Sequence, residues 1–289
     1  MTATSQAGGD GVVFVLGGGG GPLGAHEVGM LHALLERGIV PDLVLGTSVG
    51  AINGAAICAD PTVGGVQRLE VLWSALDRGG VFGGSVLRRV TTLARTRTHL
   101  HGNEALRARL TEALGVSRIE DLAVPFQCVA ASIERASEHW FCDGPIVDAV
   151  LASAAVPGIL PPVEIAGEHF IDGGIVNSIP VSRAVALGAG RIYVLHVGRL
   201  DRPLEPPRWP WEVGLVAFEV ARRHRFIADL AALPADIDVH VLPTGQQDPP
   251  RYTDLSQLRY RDLSGARARI ALAREASARY LEDHDLGQS

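Results

Sequence analysis

Two short apolar runs, each ending in glycine and each followed by a helical pattern, constrain this chain most. Val12 to Leu16 is a continuous apolar stretch that stops at Gly17 to Gly21, and Leu43-Val44-Leu45 is a second that stops at Gly46. Continuous rather than alternating apolar residues predict strands buried on both faces. Between them, Gly24 to Arg37 carries Val28, Leu31, Leu34 and Leu35 at helical spacing, with Gly38 as a stop. Ala51 to Ala59 continues from the second turn as a helix of small residues. The order strand, loop, helix, strand, turn, helix predicts an α/β fold with a parallel central sheet.

The rest of the chain repeats this grammar. Thr62 to Leu114 reads as mainly helical. Phe126-Ile133 and His139-Cys142 read as strands joined through Glu134-Arg135, and Pro145 to Ala155 as a helix of small residues. Val163 to Ile171 has the pattern of a hairpin turning at Ala166-Gly167. Val181 to Leu187 is a predicted helix and Arg191-Val197 a strand. Trp211 to Ala232 predicts a long helix, Ile237-Leu242 a strand, and Asp262 to Leu281 a last helix with Ala266, Ile270 and Ala273 on one face. No internal repeat is visible. Residues 1–11, rich in Gly, Ser and Thr, read as a flexible leader, and 12–289 as a single domain.

Composition removes several function classes. A net charge of −6 argues against a general nucleic-acid binder, which needs a basic surface. The three cysteines, Cys58, Cys128 and Cys142, are scattered and read as small buried hydrophobes in a reducing compartment. No charged n-region precedes Val12, and the Val12-Leu16 run is too short to span a bilayer. The expectation is a cytoplasmic protein whose contact with lipid, where it occurs, is peripheral.

Chemistry concentrates at three places. Gly46-Thr47-Ser48-Val49-Gly50 is a G-x-S-x-G turn between a strand and a helix. Such a turn thrusts the serine hydroxyl outward, and flanking glycines remove side chains that clash there. The helix that follows aims its positive end at a developing oxyanion. The second place is Gly17 to Gly24, whose backbone N–H groups can cradle a phosphate or form an oxyanion hole. A dinucleotide site wants an acid at the end of the second strand, where this chain delivers Ser48, so the oxyanion hole is favoured. The third is Asp172-Gly173-Gly174 after His169-Phe170-Ile171, which on its own reads as a turn aspartate.

Taken together the chain resembles the patatin-like phospholipase family. The resemblance runs from Val12 to about Leu242. Its motifs are the Gly19-Gly24 loop, Gly29-Met30-Leu31, Gly46-Thr47-Ser48-Val49-Gly50-Ala51, Ala152-Ser153-Ala154 with Pro157-Gly158 and Pro161-Pro162, Phe170-Ile171-Asp172-Gly173-Gly174-Ile175, and Asn177-Ser178-Ile179-Pro180. The resemblance implies a three-layer α/β/α sandwich with a mostly parallel sheet. It also implies lipid-ester hydrolysis without a metal or other cofactor, through a dyad of nucleophile Ser48 and general base Asp172. Backbone N–H groups of Gly19, Gly20 and Gly21 would bind the oxyanion, with Gly24, Gly46, Gly50, Gly173 and Gly174 as supporting motif positions. Asp172 is then expected to be partly buried in an apolar cleft, which raises its pKa. One departure is Leu23, where the family usually carries Lys or Arg; it bears on phospholipid preference more than on ester chemistry. The same dyad also serves an acyltransferase, and a non-catalytic phosphate- or nucleotide-binding module remains the alternative from a different class.

Histidines add little. His196 lies in an apolar strand and reads as a core residue. His224 among Arg222, Arg223 and Arg225 reads as part of a solvated helix face. His99 and His101 lack the carboxylate pattern of a metal site. Two stretches are candidate membrane contacts, the basic amphipathic 86–100 and Trp209-Pro210-Trp211. Their plainer readings are a core-packed helix and rings covering a seam.

Overall fold

The computed structural model describes residues 11–19, 21–79, 101–197, 203–246 and 265–287. The predicted leader, Gly20 and the basic stretch 86–100 lie outside them.

The two apolar runs are strands β1 (Gly11–Leu16) and β2 (Leu43–Thr47), paired in parallel. Strand β7 (Ala189–Leu195) flanks β1 on its other side, and β8 (Asp238–Val241) follows β7, both in parallel register. Strand β3 (Phe126–Ser132) continues in parallel beyond β2. The other three strands run antiparallel: β4 (Ser137–Phe141) on β3, β6 (Glu168–Asp172) on β3, and β5 (Val163–Ile165) on β6. The sheet is therefore mixed, with a five-stranded parallel core ordered β3-β2-β1-β7-β8.

Strands β1 and β2, at the middle of the sheet, are apolar because both faces are covered. Phe14, Leu16, Val44, Tyr193 and Leu195 enter one core cluster, whereas Val13, Val15, Leu45, Ile192 and Val194 enter another. Alternate residues of each strand thus face opposite layers. The larger layer contains α1 (Ala25–Glu36), α2 (Val49–Ala59), α3 (Val63–Gly79), α4 (Glu104–Leu114), α5 (Ile146–Ser153) and, later in the chain, α9 (Ala266–Asp283). The smaller layer is α7 (Val181–Ala186) with Phe226 of α8 (Pro210–Ala231). This is a three-layer α/β/α sandwich. A four-residue helix, α6 (Gly174–Asn177), follows β6 and is not evident in the sequence pattern.

Most differences from the sequence reading have local causes. The predicted strand Arg191-Val197 starts earlier and stops at Leu195, because its partner Leu16 ends there and the chain leaves the sheet. Cys142 is exposed, unlike Cys58 and Cys128, because it lies just past the end of β4. Arg222 does not share the solvated face of α8 with His224. Its side chain is buried toward the sheet, while His224 is exposed and His196 is buried as read. Among the described residues no helix is long and apolar enough to cross a membrane.

Candidate active site

Strand β3 brings the serine turn and the aspartate together. Its residues 126–129 pair with β2, ending at Val129 opposite Thr47. Its next residue, Ala130, pairs with Asp172 at the end of β6. Strand β4 occupies the opposite edge along 128–132, so β6 takes over the edge that β2 vacates. The last residue of β6 therefore lands beside the residue that follows β2.

Ser48 has φ 55° and ψ −120°, a left-handed φ that only glycine adopts freely. The surroundings hold it there. Its N–H donates to Ser153 Oγ at 3.0 Å. Its carbonyl accepts from Ala51 N and Ile52 N as α2 begins. Close packing explains both motif glycines: a Cβ on Gly50 would meet Leu16 O at 2.3 Å, and one on Gly46 would meet Gly50 O at 2.7 Å. Thr47 Oγ1 donates to Asn177 O at 3.0 Å, tying the turn to α6. Ser48 itself stays partly exposed.

Ser48 Oγ donates to Asp172 Oδ2 at 2.6 Å. Asp172 Oδ1 accepts from Gly174 N at 2.7 Å. The backbone beneath is fixed, with Asp172 N donating to Ala155 O and Gly173 N to Ser153 O. Asp172 is 3% exposed. Burial lifts its pKa to about 6, against the opposing effect of the Ser48 and Gly174 hydrogen bonds. A carboxylate with that pKa is ionised at neutral pH yet more basic than an ordinary one.

The glycine loop leaves β1 between the ends of β2 and β7, where the order of the parallel strands reverses. In open α/β sheets that crevice is where ligands sit. Gly17 N donates to Leu195 O at 2.9 Å and Gly18 N to Ser178 O at 2.7 Å. Ser178 Oγ donates back to Gly18 O at 3.3 Å. A Cβ on Gly18 would lie 3.5 Å from Ser48 Cβ, so the loop runs directly past the nucleophile position. Gly19 follows, and Gly21–Gly24 form a short 3-10 turn into α1.

That turn is pinned by a buried polar network. His26 Nδ1 lies 2.9 Å from Leu23 O, and burial holds the His26 pKa down to about 4, so the neutral ring donates from Nδ1. Asn53 Nδ2 donates to Gly24 O and to Glu27 Oε2, and Trp73 Nε1 donates to Asn53 Oδ1. Burial pushes the Glu27 carboxyl well above its ordinary pKa. The side chain of Leu23 is itself buried.

Sequence reasoning assigned no role to Ser153, Ser178, Asn53, Glu27 or Arg222. Ser153 and Ser178 lie inside the quoted motifs, but only the fold reveals their hydrogen bonds. Of the two membrane candidates, Trp209 is 56% exposed just before α8, and Trp211 is on its first turn. Glu212 caps that helix, accepting from the N–H groups of Arg208 and Trp209.

A strained serine between a parallel strand and a helix, with a buried carboxylate on its hydroxyl and a glycine loop beside it, has the architecture of the serine hydrolases on α/β sheets. Comparison with known proteins narrows this. The profile described as Patatin-like phospholipase matches residues 14–185. The chain belongs to the patatin-like phospholipase family. Its similar relatives include lysophospholipase nte1 of Aspergillus terreus, 32% identical over 184 residues that cover 64% of this chain and 12% of that protein. Another is lysophospholipase NTE1 of Candida glabrata, 32% identical over 201 residues that cover 67% of this chain and 11% of that protein. The chain thus spans only about an eighth of the length of the curated relatives it matches. Among solved structures, VipD from Legionella pneumophila has a TM-score of 0.43 at 13% identity, over 98% of this chain and 68% of that one. The ExoU-SpcU complex of Pseudomonas aeruginosa gives 0.44 at 15% identity, over 98% and 53%.

Proposed function

We propose that this chain is a serine-dependent lipid acyl hydrolase of esterase or phospholipase A type. The observation that carries the reading is the 2.6 Å hydrogen bond from Ser48 Oγ to the buried carboxylate of Asp172. Ser48 Oγ attacks the ester carbonyl as Asp172 Oδ2 takes its proton. The carbonyl oxygen becomes an oxyanion, held by N–H groups of the glycine loop around Gly19 and Gly21 and by the amino-terminal end of α2. Asp172 returns the proton to the leaving alcohol, leaving the acyl group on Ser48. Water, giving a proton to the same carboxylate, then attacks the acyl group, and Asp172 returns that proton to Ser48 Oγ as the fatty acid leaves. The unit that carries it is proposed to be 12–289.

The relatives named lysophospholipase support a single-chain phospholipid as one substrate. Such substrates are aggregated, so the enzyme must meet a lipid surface. We propose that the outer face of α8 makes that contact. Val213, Val220 and Ile227 recur every seventh residue and are each more than half exposed, with Trp209 just ahead of the helix.

The test is covalent labelling. A fluorophosphonate is expected to label the wild type and not Ser48→Ala. Ser48→Ala and Asp172→Asn are both expected to lose hydrolysis of p-nitrophenyl butyrate while keeping their far-UV circular dichroism. Ester hydrolysis retained by Ser48→Ala overturns the mechanism. An unlabelled wild type favours the phosphate-binding module instead.

A further inference from the structure

Arg222 lies behind the glycine loop, on the inner side of α8. Its Nη2 donates to Glu219 Oε2 at 2.8 Å. Its Nη1 stands 3.5 Å from Gly18 O and 3.5 Å from His196 Nε2. Its Nε is buried with no hydrogen-bond partner among the described residues. Glu219 is shared with Arg223, whose Nε is 3.4 Å away. A guanidinium held out of water in this way is unfavourable unless its charge is used.

We infer that Arg222 is a positioning residue for the oxyanion donor, an inference that rests on the Ser48 reading above. The carbonyl of Gly18 receives Ser178 Oγ at 3.3 Å and faces Arg222 Nη1 at 3.5 Å. In a planar trans peptide the N–H of Gly19 points opposite to that carbonyl. Holding the Gly18 oxygen toward α8 therefore holds the Gly19 N–H away from it, toward the space before Ser48. Two successive glycines would otherwise let this peptide rotate at little cost. Ser178 O fixes the preceding peptide through Gly18 N at 2.7 Å, so the chain leading into this peptide is held as well. The cation also polarises the peptide it touches, which strengthens the N–H as a donor.

The experiment compares wild type, Arg222→Met, Arg222→Lys and Ser48→Ala on p-nitrophenyl butyrate. It also measures inhibition by a trifluoromethyl ketone, which forms an oxyanion adduct with an active serine. Arg222→Met is expected to lower kcat about tenfold or more with KM within about twofold, and to weaken the ketone by a similar factor. Arg222→Lys restores part of both, because the charge returns. The acid limb of the pH profile stays in place, since Asp172 is untouched. Arg222→Gln, uncharged and closer in polarity, replaces Arg222→Met if that variant does not fold, with the same expectations. A kcat within about twofold of wild type in the folded uncharged variant overturns the inference, as does a fall in kcat with unchanged ketone affinity. An active Ser48→Ala overturns the serine reading and this inference together. An inactive Ser48→Ala beside a fully active Arg222→Met overturns this inference alone.

Discussion

Asp172 Oδ2 accepts a hydrogen bond from the Ser48 hydroxyl at 2.6 Å, and both residues reach that point along one edge of β3, where β6 takes over from β2. The chain separation between them is closed by sheet pairing rather than by a loop. The pair is therefore held by the sheet itself, which is what the proposed general base needs. The arrangement also places a carboxylate where it is poorly hydrated, with consequences for both rate and stability.

The first consequence is a pH dependence of activity. Burial raises the Asp172 pKa to about 6. As the proposed general base it must be ionised, so kcat/KM on a neutral ester is expected to rise about tenfold per pH unit below that value and level off above it. A pH–rate profile over pH 4 to 9 checks this. An acid limb centred near pH 4 instead would mean that the buried carboxyl is not the base that limits the reaction.

The second is a conflict between stability and function. The folded pKa of Asp172 lies above its unfolded value of 3.8. The native state thus binds the extra proton between those values, and stability falls as pH rises from about 4 to about 6. The difference amounts to about 3 kcal/mol lost by neutral pH. Asp172→Asn removes the buried charge, and its amide can still accept from Gly174 and donate to Ser48. That variant is expected to be inactive yet to melt higher than wild type at pH 8, with the gap closing toward pH 4. Scanning calorimetry at the two pH values decides it.

The parallel core and the serine turn were legible in the sequence for one reason. Strands buried on both faces leave unbroken apolar runs, and the turn at Ser48 needs glycines that stand out beside them. Asp172 was legible only through the surrounding Phe170-Ile171 and Gly173-Gly174, because a lone aspartate at a strand end looks like any turn residue. Arg222 was not legible at all. Nothing in Arg222-Arg223-His224-Arg225 marks which arginine turns inward; that depends on how α8 is rotated against α7 and the loop. The takeover of β3 by β6 was equally hidden, since strand register is set by tertiary pairing and leaves no local pattern.

The close contact at Gly50 predicts a purely steric effect. A Cβ there would meet Leu16 O at 2.3 Å, and backbone on both sides leaves little room to yield. Gly50→Ala is expected to destabilise the fold by about 1–3 kcal/mol. It should also displace α2 from β1, lowering fluorophosphonate labelling more than the melting temperature alone explains. Urea denaturation followed by labelling at low denaturant separates the two.

Ser153 predicts a different signature. Its hydroxyl accepts the N–H of Ser48, in the residue with the strained backbone. Ser153→Ala leaves that donor unpaired in a partly buried turn, a loss of about 1–3 kcal/mol. The turn can relieve it by relaxing toward negative φ, which moves Oγ away from Asp172. kcat is expected to fall severalfold while KM for a short ester stays near the wild-type value. A Ser153→Ala variant with unaltered kcat would show that packing around Gly46 and Gly50 alone sustains the turn.

The outer face of α8 makes the last prediction. Val213, Val220 and Ile227 are 55%, 51% and 57% exposed, and the heptad spacing puts them in one line. The inner line of the same helix is occupied by Arg222 and Phe226, so the apolar outer line is not needed for packing. Roughly half of each side chain remains to be buried, giving about 1 kcal/mol apiece on insertion at a lipid interface. Three such residues with Trp209 give weak, reversible binding rather than anchoring. Replacing Val220 and Ile227 together by Asp is expected to reduce co-sedimentation with phosphatidylcholine vesicles and activity on lysophospholipid micelles several-fold. Hydrolysis of a monomeric p-nitrophenyl ester should be unchanged, because the substituted side chains point away from Gly18 and Ser48. Equal losses on monomeric and aggregated substrates would place the effect in the site instead, and vesicle binding that survives both substitutions would remove this face as the lipid contact.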